Sequence, residues 1–109
     1  MNLYDTRLRP RRSALFMPGS NDRALIKARS LRADCIIIDL EDAVSPDDKQ
    51  LARDTAVSHL REGGFGSRER IVRINDSSEN FGQADIVALA ELPSNEMPDA
   101  ILLPKINGK

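Results

Sequence analysis

The stretch IIIDLEDAVSPDD, from Ile36 to Asp48, decides the fold class. Three isoleucines in a row are typical of a strand that is covered on both faces. The acids that follow would be costly to bury without a partner, so the strand must leave the core within DLED. A serine, a proline and two more acids then form a helix-start signal. We infer a buried strand leading directly into a helix, the unit from which parallel sheets are built.

Four strands are predicted, at residues 14–17, 35–40, 71–74 and 100–103. Helices are predicted at residues 21–33 with Ser20 or Asn21 as N-cap, from Pro46 to the glycine pair at 63 and 64, and near residues 83–92. The alternation indicates right-handed βαβ units in a parallel sheet. An open doubly wound sheet and a (β/α)₈ barrel both fit. A complete barrel needs about 250 residues, so 109 would supply its first half.

Composition sets limits on partners and location. The chain has 109 residues, 40% of them hydrophobic and 30% charged, and a formal net charge of -1. This balance gives no reason to expect nucleic acid or a membrane surface as partner. We find neither a secretory signal nor an apolar run long enough to cross a bilayer. The single cysteine, Cys35, is predicted to be a buried thiol in a cytoplasmic protein.

Polar residues follow every predicted strand: PGSN, DLED, RIND and LPK. Parallel strands place these ends at one edge, where active sites form in both architectures. The PGSN turn either simply turns the chain or offers backbone amides to an anion. Lys105 is equally open between a solvated residue and a site residue. His59, inside the second helix and far from these ends, is predicted to be structural or exposed.

The acids of DLED and the arginine of RIND are the main site candidates. Asp39 and Glu41 should point to one side of their strand. They either cap a helix or serve a metal, its waters or an arginine. Arg73 stands between two apolar residues, so its guanidinium should be half-buried and needs an anion. Its planar fork suits a substrate carboxylate.

Four motifs together carry a family resemblance. RRSALFMPGSN, IIIDLEDAVSPDDK, RIVRIND and ILLPK resemble the citrate lyase β-subunit-like proteins of the HpcH/HpaI aldolase superfamily, in order and over residues 11–105. The resemblance implies an α/β fold, a (β/α)₈ TIM barrel, of which residues 1–109 form the N-terminal half of a single domain. It also implies Mg²⁺-dependent making or breaking of a carbon–carbon bond in a citryl, malyl or citramalyl thioester.

The resemblance implies roles for individual residues. Arg73 matches the arginine that holds the carboxylate or carbonyl of the substrate. Phe16 and Lys27 match contacts to coenzyme A, whereas Asn21 replaces an arginine that relatives use there. Asp42 stands where pyruvate aldolases have a catalytic histidine. This difference favours the thioester lyases and makes Asp42 a second catalytic candidate.

The implied reaction is a retro-Claisen cleavage. Mg²⁺ acts as a Lewis acid, Arg73 fixes the carboxylate of the substrate, and a base removes the hydroxyl proton while the thioester carbon becomes an enolate. The acids Asp39, Glu41 and Asp42 are expected near the metal and its waters. The direct ligands, a glutamate and an aspartate on later strands, are expected beyond Lys109.

Three functional hypotheses stay open: a lyase, a non-catalytic module that binds an acyl thioester or assembles with other subunits, and an open-sheet nucleotide binder. The last has little support, because neither G-x-G-x-x-G nor a P-loop occurs. Expected partners are an acyl thioester of coenzyme A or acyl carrier protein, and copies of the same chain or other lyase subunits. The 109 residues alone are predicted to be inactive and poorly stable, with open sheet edges. Four residues are predicted to face an incomplete barrel interior: Leu15, Ile37, Val72 and Leu102.

Overall fold

Four parallel strands form one sheet in the computed structural model, which describes residues 13–104. Their bounds are β1 Ala14–Pro18, β2 Cys35–Asp39, β3 Glu69–Arg73 and β4 Ala100–Leu102. The connecting helices are α1 Asp22–Ala28, α2 Lys49–Glu62 and α3 Asn80–Ala90, and a 3₁₀ turn, Pro46–Asp48, leads into α2. Each strand pairs with the next one along the chain. The predicted parallel α/β fold is confirmed.

The three helices cover one face of the sheet. Right-handed crossovers that always advance by one strand place every helix on the same side. The core beneath them contains the strand residues Met17, Ile36, Ile38 and Val72, and Ile74 directly after β3. The helix residues of the same core are Leu25, Ala28, Ala52, Ala56, Leu60 and Leu89. All of these are at most 7% exposed, so a single apolar layer holds helices and sheet together.

The opposite face of the sheet is less covered. Strand pairing aligns the side chains on this face, which are Phe16, Ile37, Ile71 and Leu102. Phe16 is 56% and Leu102 39% exposed. The prediction that Leu15 and Val72 face the barrel interior was wrong, because Val72 lies in the core beneath the helices and the partly buried Leu15 packs against that core. Side chains alternate along a strand, so an error of one residue in the phase of a strand moves its side chains to the other face.

Several element boundaries differ from prediction. Helix α1 ends at Ala28 instead of residue 33, and Asn21 is its N-cap, with Oδ1 accepting from the backbone N of Ala24 at 3.0 Å. Ser45 makes no capping hydrogen bond, and α2 begins only after the 3₁₀ turn. Gly63, at φ 72°, ends α2 as predicted, because glycine adopts this left-handed region without strain.

Two single residues lie as predicted. Cys35 is buried, at 1% exposure. His59 is 3% exposed, and its Nε2 lies 2.7 Å from Oδ1 of Asp22, a contact that joins α2 to α1. Among residues 13–104, no helix combines the length and hydrophobicity that a membrane crossing requires.

Candidate active site

The carboxyl ends of β2 and β3 place Asp39 next to Arg73. The two residues are direct partners in the parallel ladder, so their side chains leave the sheet on the same face. Pro18 and Leu102 continue the same row on the outer strands. This row marks the polar edge that the sequence predicts as the site.

Asp39 and Arg73 form a two-pronged ion pair. Nε of Arg73 donates to Oδ1 of Asp39 at 2.9 Å, and Nη2 donates to Oδ2 at 2.8 Å. The side chain of Asp39 is 2% exposed and that of Arg73 is 24% exposed. The acids of DLED therefore serve an arginine, one of the three roles that the sequence left open. The guanidinium is half-buried, as predicted.

The same carboxylate also organises the chain that follows it. Oδ1 of Asp39 accepts from the backbone N of Glu41 at 2.9 Å, and Oδ2 accepts from that of Ala43 at 2.8 Å. Burial alone would raise the pKa of Asp39, but the hydrogen bonds from Arg73 and from these two amides outweigh it and hold the pKa below its usual value. The hydrogen bond to Asp39 raises the pKa of Arg73 further above its ordinary value. Both groups are therefore charged at neutral pH.

Two further side chains contact the guanidinium. The ring of Phe16 lies with its centroid 5.4 Å from Cζ of Arg73, a cation–π distance. Oε1 of Glu41 lies 3.6 Å from Nε of Arg73. Asp39 and Glu41 are thus on one side of the chain, as predicted. The sequence did not predict this contact between Phe16 and Arg73. The coenzyme A contact that the resemblance implies for Phe16 stays a prediction.

A cavity of about 290 Å³ opens over this group. Its lining residues are Phe16, Met17, Pro18, Asp39, Asp42, Ala43 and Arg73. Asp39 occupies the Nε side of the guanidinium, and Nη1 makes no hydrogen bond within residues 13–104. The cavity is therefore lined by a guanidinium with one nitrogen unpaired in this range, by an aromatic ring and by the exposed residue Asp42. An anionic ligand with an apolar part fits such a lining.

Not every predicted site residue joins this cavity. Lys27 is exposed in the last turn of α1 and does not line it. Helices that follow parallel strands run back away from the carboxyl edge, which takes the end of α1 away from the site. Lys105 lies outside the residues that the structure describes.

A larger cavity, about 440 Å³, lies at the opposite edge of the sheet beside the glycines of residues 63–66. Its arginines are used by the fold. Arg68 donates to the carbonyls of Leu31 and Phe65, and Arg70 donates to that of Met97. With these guanidinium groups bound to the main chain, the cavity lined by Arg73 is the better candidate site of the two.

A buried polar network beneath the site was not predicted. Oδ1 of Asp85 accepts from Nε of Arg53 at 2.9 Å, and Oδ2 accepts from Nδ2 of Asn75 at 2.7 Å. The same Nδ2 donates to the carbonyl oxygen of Leu40 at 2.9 Å, and Nζ of Lys49 reaches that oxygen at 3.1 Å. A signal existed in the sequence, since residues 49, 53, 56 and 60 share one helical face and two of them are cationic.

A glycine brings α3 close to the site. A Cβ atom built on Gly82 would overlap the backbone of Asp76 and lie 2.6 Å from the carbonyl oxygen of Asn75. Only glycine lets this helix approach so closely to the end of β3. The position of Asn75 in the network therefore depends on the missing side chain of Gly82.

The described part of the chain does not form a metal site by itself. No group of three or more His, Cys, Asp or Glu side chains within residues 13–104 is arranged to hold a metal ion. Within that range the carboxylate of Asp39 accepts only from Arg73 and from the backbone amides of Glu41 and Ala43, so each of its oxygens already takes two hydrogen bonds. Of the DLED acids, Glu41 and Asp42 do not share this commitment to backbone amides.

Comparison with known proteins decides the family. Residues 12–109 match the HpcH/HpaI aldolase/citrate lyase family. The chain belongs to this family. It is 49% identical over 98 residues to a (3S)-malyl-CoA thioesterase from Cereibacter sphaeroides, covering 90% of this chain and 33% of that protein. It is 34% identical to the mitochondrial citramalyl-CoA lyase of Rattus norvegicus, covering 91% and 29%.

A solved structure of a family member supports the architecture. CitE from Mycobacterium tuberculosis, in complex with magnesium, acetoacetate and coenzyme A, superposes with a TM-score of 0.64 at 28% identity, covering 85% of this chain and 32% of that one. The sheet of this HpcH/HpaI family member is thus part of a TIM-barrel fold, as the resemblance implied. The chain spans about a third of the length of the curated relatives it matches.

Proposed function

We propose that the protein is a carbon–carbon lyase for a 3-hydroxyacyl thioester, of the citryl, malyl or citramalyl type. One observation carries the proposal. Asp39 holds one side of the Arg73 guanidinium, Nη1 has no hydrogen-bond partner among residues 13–104, and Arg73 lines a cavity of about 290 Å³. A fixed cation with a free edge suits the carboxylate or carbonyl oxygen of such a substrate.

The residues of this chain then have distinct tasks. Nη1 of Arg73 binds the anionic oxygen of the substrate, and the exposed ring of Phe16 offers an apolar surface to the adjoining carbon chain. The exposed carboxylate of Asp42, on the same cavity, orients the substrate hydroxyl whose proton must leave. Asp39 contacts no substrate in this proposal. It keeps Arg73 charged and in place.

Mg²⁺ is the proposed cofactor, because the related CitE was solved with magnesium. When bound, it would supply Lewis-acid polarisation of the hydroxy-acid end of the substrate. Its direct ligands are assigned to residues outside 13–104, in keeping with the absence of a metal-holding group in that range. Asp39, Glu41 and Asp42 are then near the metal without binding it directly.

The test of the proposal is Arg73→Ala in the full-length protein. Loss of one preorganised donor to a developing oxyanion lowers turnover by roughly 10²- to 10³-fold, and we expect that loss in kcat/KM for citryl-, malyl- or citramalyl-CoA cleavage. Arg61→Ala is the matched control, because Arg61 is 64% exposed at the far end of α2. Near-normal kcat/KM in Arg73→Ala would show that this arginine is only structural.

Hydrolysis of the thioester is the second candidate reaction. It is favoured by the 49% identity to a (3S)-malyl-CoA thioesterase. The two reactions differ in their products. Cleavage of malyl-CoA by a lyase gives acetyl-CoA and a 2-oxo acid, whereas hydrolysis consumes one water and gives malate and free coenzyme A. A thiol reagent and a 2-oxo acid assay on the same reaction mixture therefore separate them.

Three further predictions belong to this proposal. The substrate is an acyl thioester of coenzyme A or of acyl carrier protein. The protein works in the cytoplasm, either as a homo-oligomer or together with other lyase subunits. Residues 1–109 alone are expected to be inactive, because no group within residues 13–104 is arranged to hold a metal ion and the chain spans about a third of its relatives. A non-catalytic thioester-binding or assembly module is the alternative, and it requires that the full-length protein bind such a thioester without turnover.

A further inference from the structure

Lys49, the first residue of α2, is a buried cation without a carboxylate partner among residues 13–104. It is 9% exposed, and its Nζ donates to the carbonyl oxygens of Leu40 at 3.1 Å and Glu41 at 2.6 Å. Burying an ammonium group is costly, and two carbonyl oxygens offset that cost less well than a carboxylate does. A neutral residue would fill the space at a smaller cost. The buried charge of Lys49 therefore needs a physical explanation.

The two carbonyls belong to the segment that holds Arg73. On its other side, the amides of Glu41 and Ala43 donate to the carboxylate of Asp39, which in turn binds the guanidinium. Residues 39–43 are thus fixed by their amides on one side and by their carbonyls on the other. Lys49 is the one residue of the described chain that donates to both carbonyls.

A second donor to this segment comes from β3. Nδ2 of Asn75 shares the carbonyl of Leu40 with Lys49, and the backbone N of Val44 shares the carbonyl of Glu41 with Lys49 at 3.2 Å. The bond from the ammonium group to Glu41, at 2.6 Å, is the shorter of these two. Removal of the ammonium group would leave the carbonyl of Glu41 with only the longer bond from Val44, among residues 13–104. The amide of Glu41 is one of the two that hold Asp39.

We propose that Lys49 is a positioning residue, which orients Arg73 by fixing the carbonyls of Leu40 and Glu41. The inference rests on the proposed function of Arg73 as the substrate-binding cation. It places Lys49 outside contact with substrate. Its effect passes through the backbone of residues 40–43 to Asp39, and from Asp39 to the guanidinium.

A double-mutant cycle in the full-length protein tests this route. Misplacing a catalytic group by about 1 Å can cost roughly 10²-fold in rate, so we expect Lys49→Met to lower kcat/KM for the best acyl-CoA substrate by about that factor. In an Arg73→Ala background the same substitution should change kcat/KM less than about threefold, because coupled residues are not additive. Equal losses in both backgrounds overturn the proposal. Arg61→Met, which removes the same charge from an exposed position, is the control.

A measurement without substrate separates this inference from the proposed function. The Nε proton of Arg73, bonded to Asp39, should exchange slowly with solvent, and ¹⁵N NMR should show that Lys49→Met removes this protection. Unchanged protection refutes the role of Lys49 whether or not the protein cleaves a thioester. Conversely, a wild type with a protected Nε proton and no turnover refutes only the proposed function. If Lys49→Met does not fold, Lys49→Gln replaces it, since a shorter neutral amide should weaken the same protection.

Discussion

Replacing Asp39 with asparagine tests the ion pair at the centre of the site. The carboxylate accepts four hydrogen bonds, two from the guanidinium of Arg73 and one each from the amides of Glu41 and Ala43. Each carboxylate oxygen takes two of them. In asparagine one of these oxygens becomes an NH₂ group, which faces donors and cannot accept. Two of the four hydrogen bonds are therefore lost, and the guanidinium loses its counter-charge.

The size of the effect follows from burial. Removing one partner of a buried ion pair costs about 3–5 kcal/mol. The Asp39 side chain is 2% exposed, but that of Arg73 is 24% exposed, and water can solvate part of the cation that is left behind. We therefore expect the lower end of the range, a loss of about 3 kcal/mol in the free energy of unfolding.

Urea unfolding of the full-length protein, followed by circular dichroism, measures this loss. Glu41→Gln is the matched control: Glu41 faces the same guanidinium at 3.6 Å, but its side chain is 30% exposed. An exposed pair contributes about 0–1 kcal/mol, so this control should stay within 1 kcal/mol of wild type. If Asp39→Asn also stays within that limit, Asp39 does not hold Arg73 in the way described.

The remaining predictions concern acid, the metal and packing. Because the pKa of Asp39 is lowered in the folded state, the ionised carboxylate should stabilise the fold fully above the usual carboxyl range, and this stabilisation should be lost as pH falls through the lowered pKa. A difference in the free energy of unfolding between wild type and Asp39→Asn that grows on acidification would contradict this. Asp42→Asn should lower kcat more than Mg²⁺ affinity, and a metal titration with proportional losses would make Asp42 a direct ligand. Gly82→Ala should lower the free energy of unfolding by about 1–3 kcal/mol, because its Cβ would overlap the backbone of Asp76; an unchanged thermal midpoint would show that α3 moves aside freely.

The order of the elements and the polar edge followed from the sequence, because they depend on local patterns. An apolar run followed by DLED must end a strand at the edge, and RIND does the same for the next strand. The sequence also indicated that Arg73 needs an anion. It could not indicate that Asp39 supplies it, because this contact depends on the register of two strands that are 34 residues apart along the chain.

The buried network was beyond local patterns for the same reason. Arg53 and Asp85 are 32 residues apart, and each looks like a surface residue of its own helix. Only the packing of α2 against α3 brings them together. The faces of β1 and β3 were assigned wrongly because these short runs are apolar at successive positions. Their sequence therefore does not show which side chains face the helices and which face the other side of the sheet.

The two-pronged contact between Asp39 and Arg73 has a consequence for the thermodynamics of ligand binding. A free arginine side chain has about 2 kcal/mol of rotamer entropy, and ordering such a side chain when a ligand binds weakens affinity by about 0.5–1.5 kcal/mol. In this protein the ordering has already occurred during folding, because Nε and Nη2 are bound before any ligand arrives. An anion that reaches Nη1 therefore meets a cation that is already immobile. Calorimetry should find a less unfavourable binding entropy in the wild type than in a variant whose arginine is free to rotate.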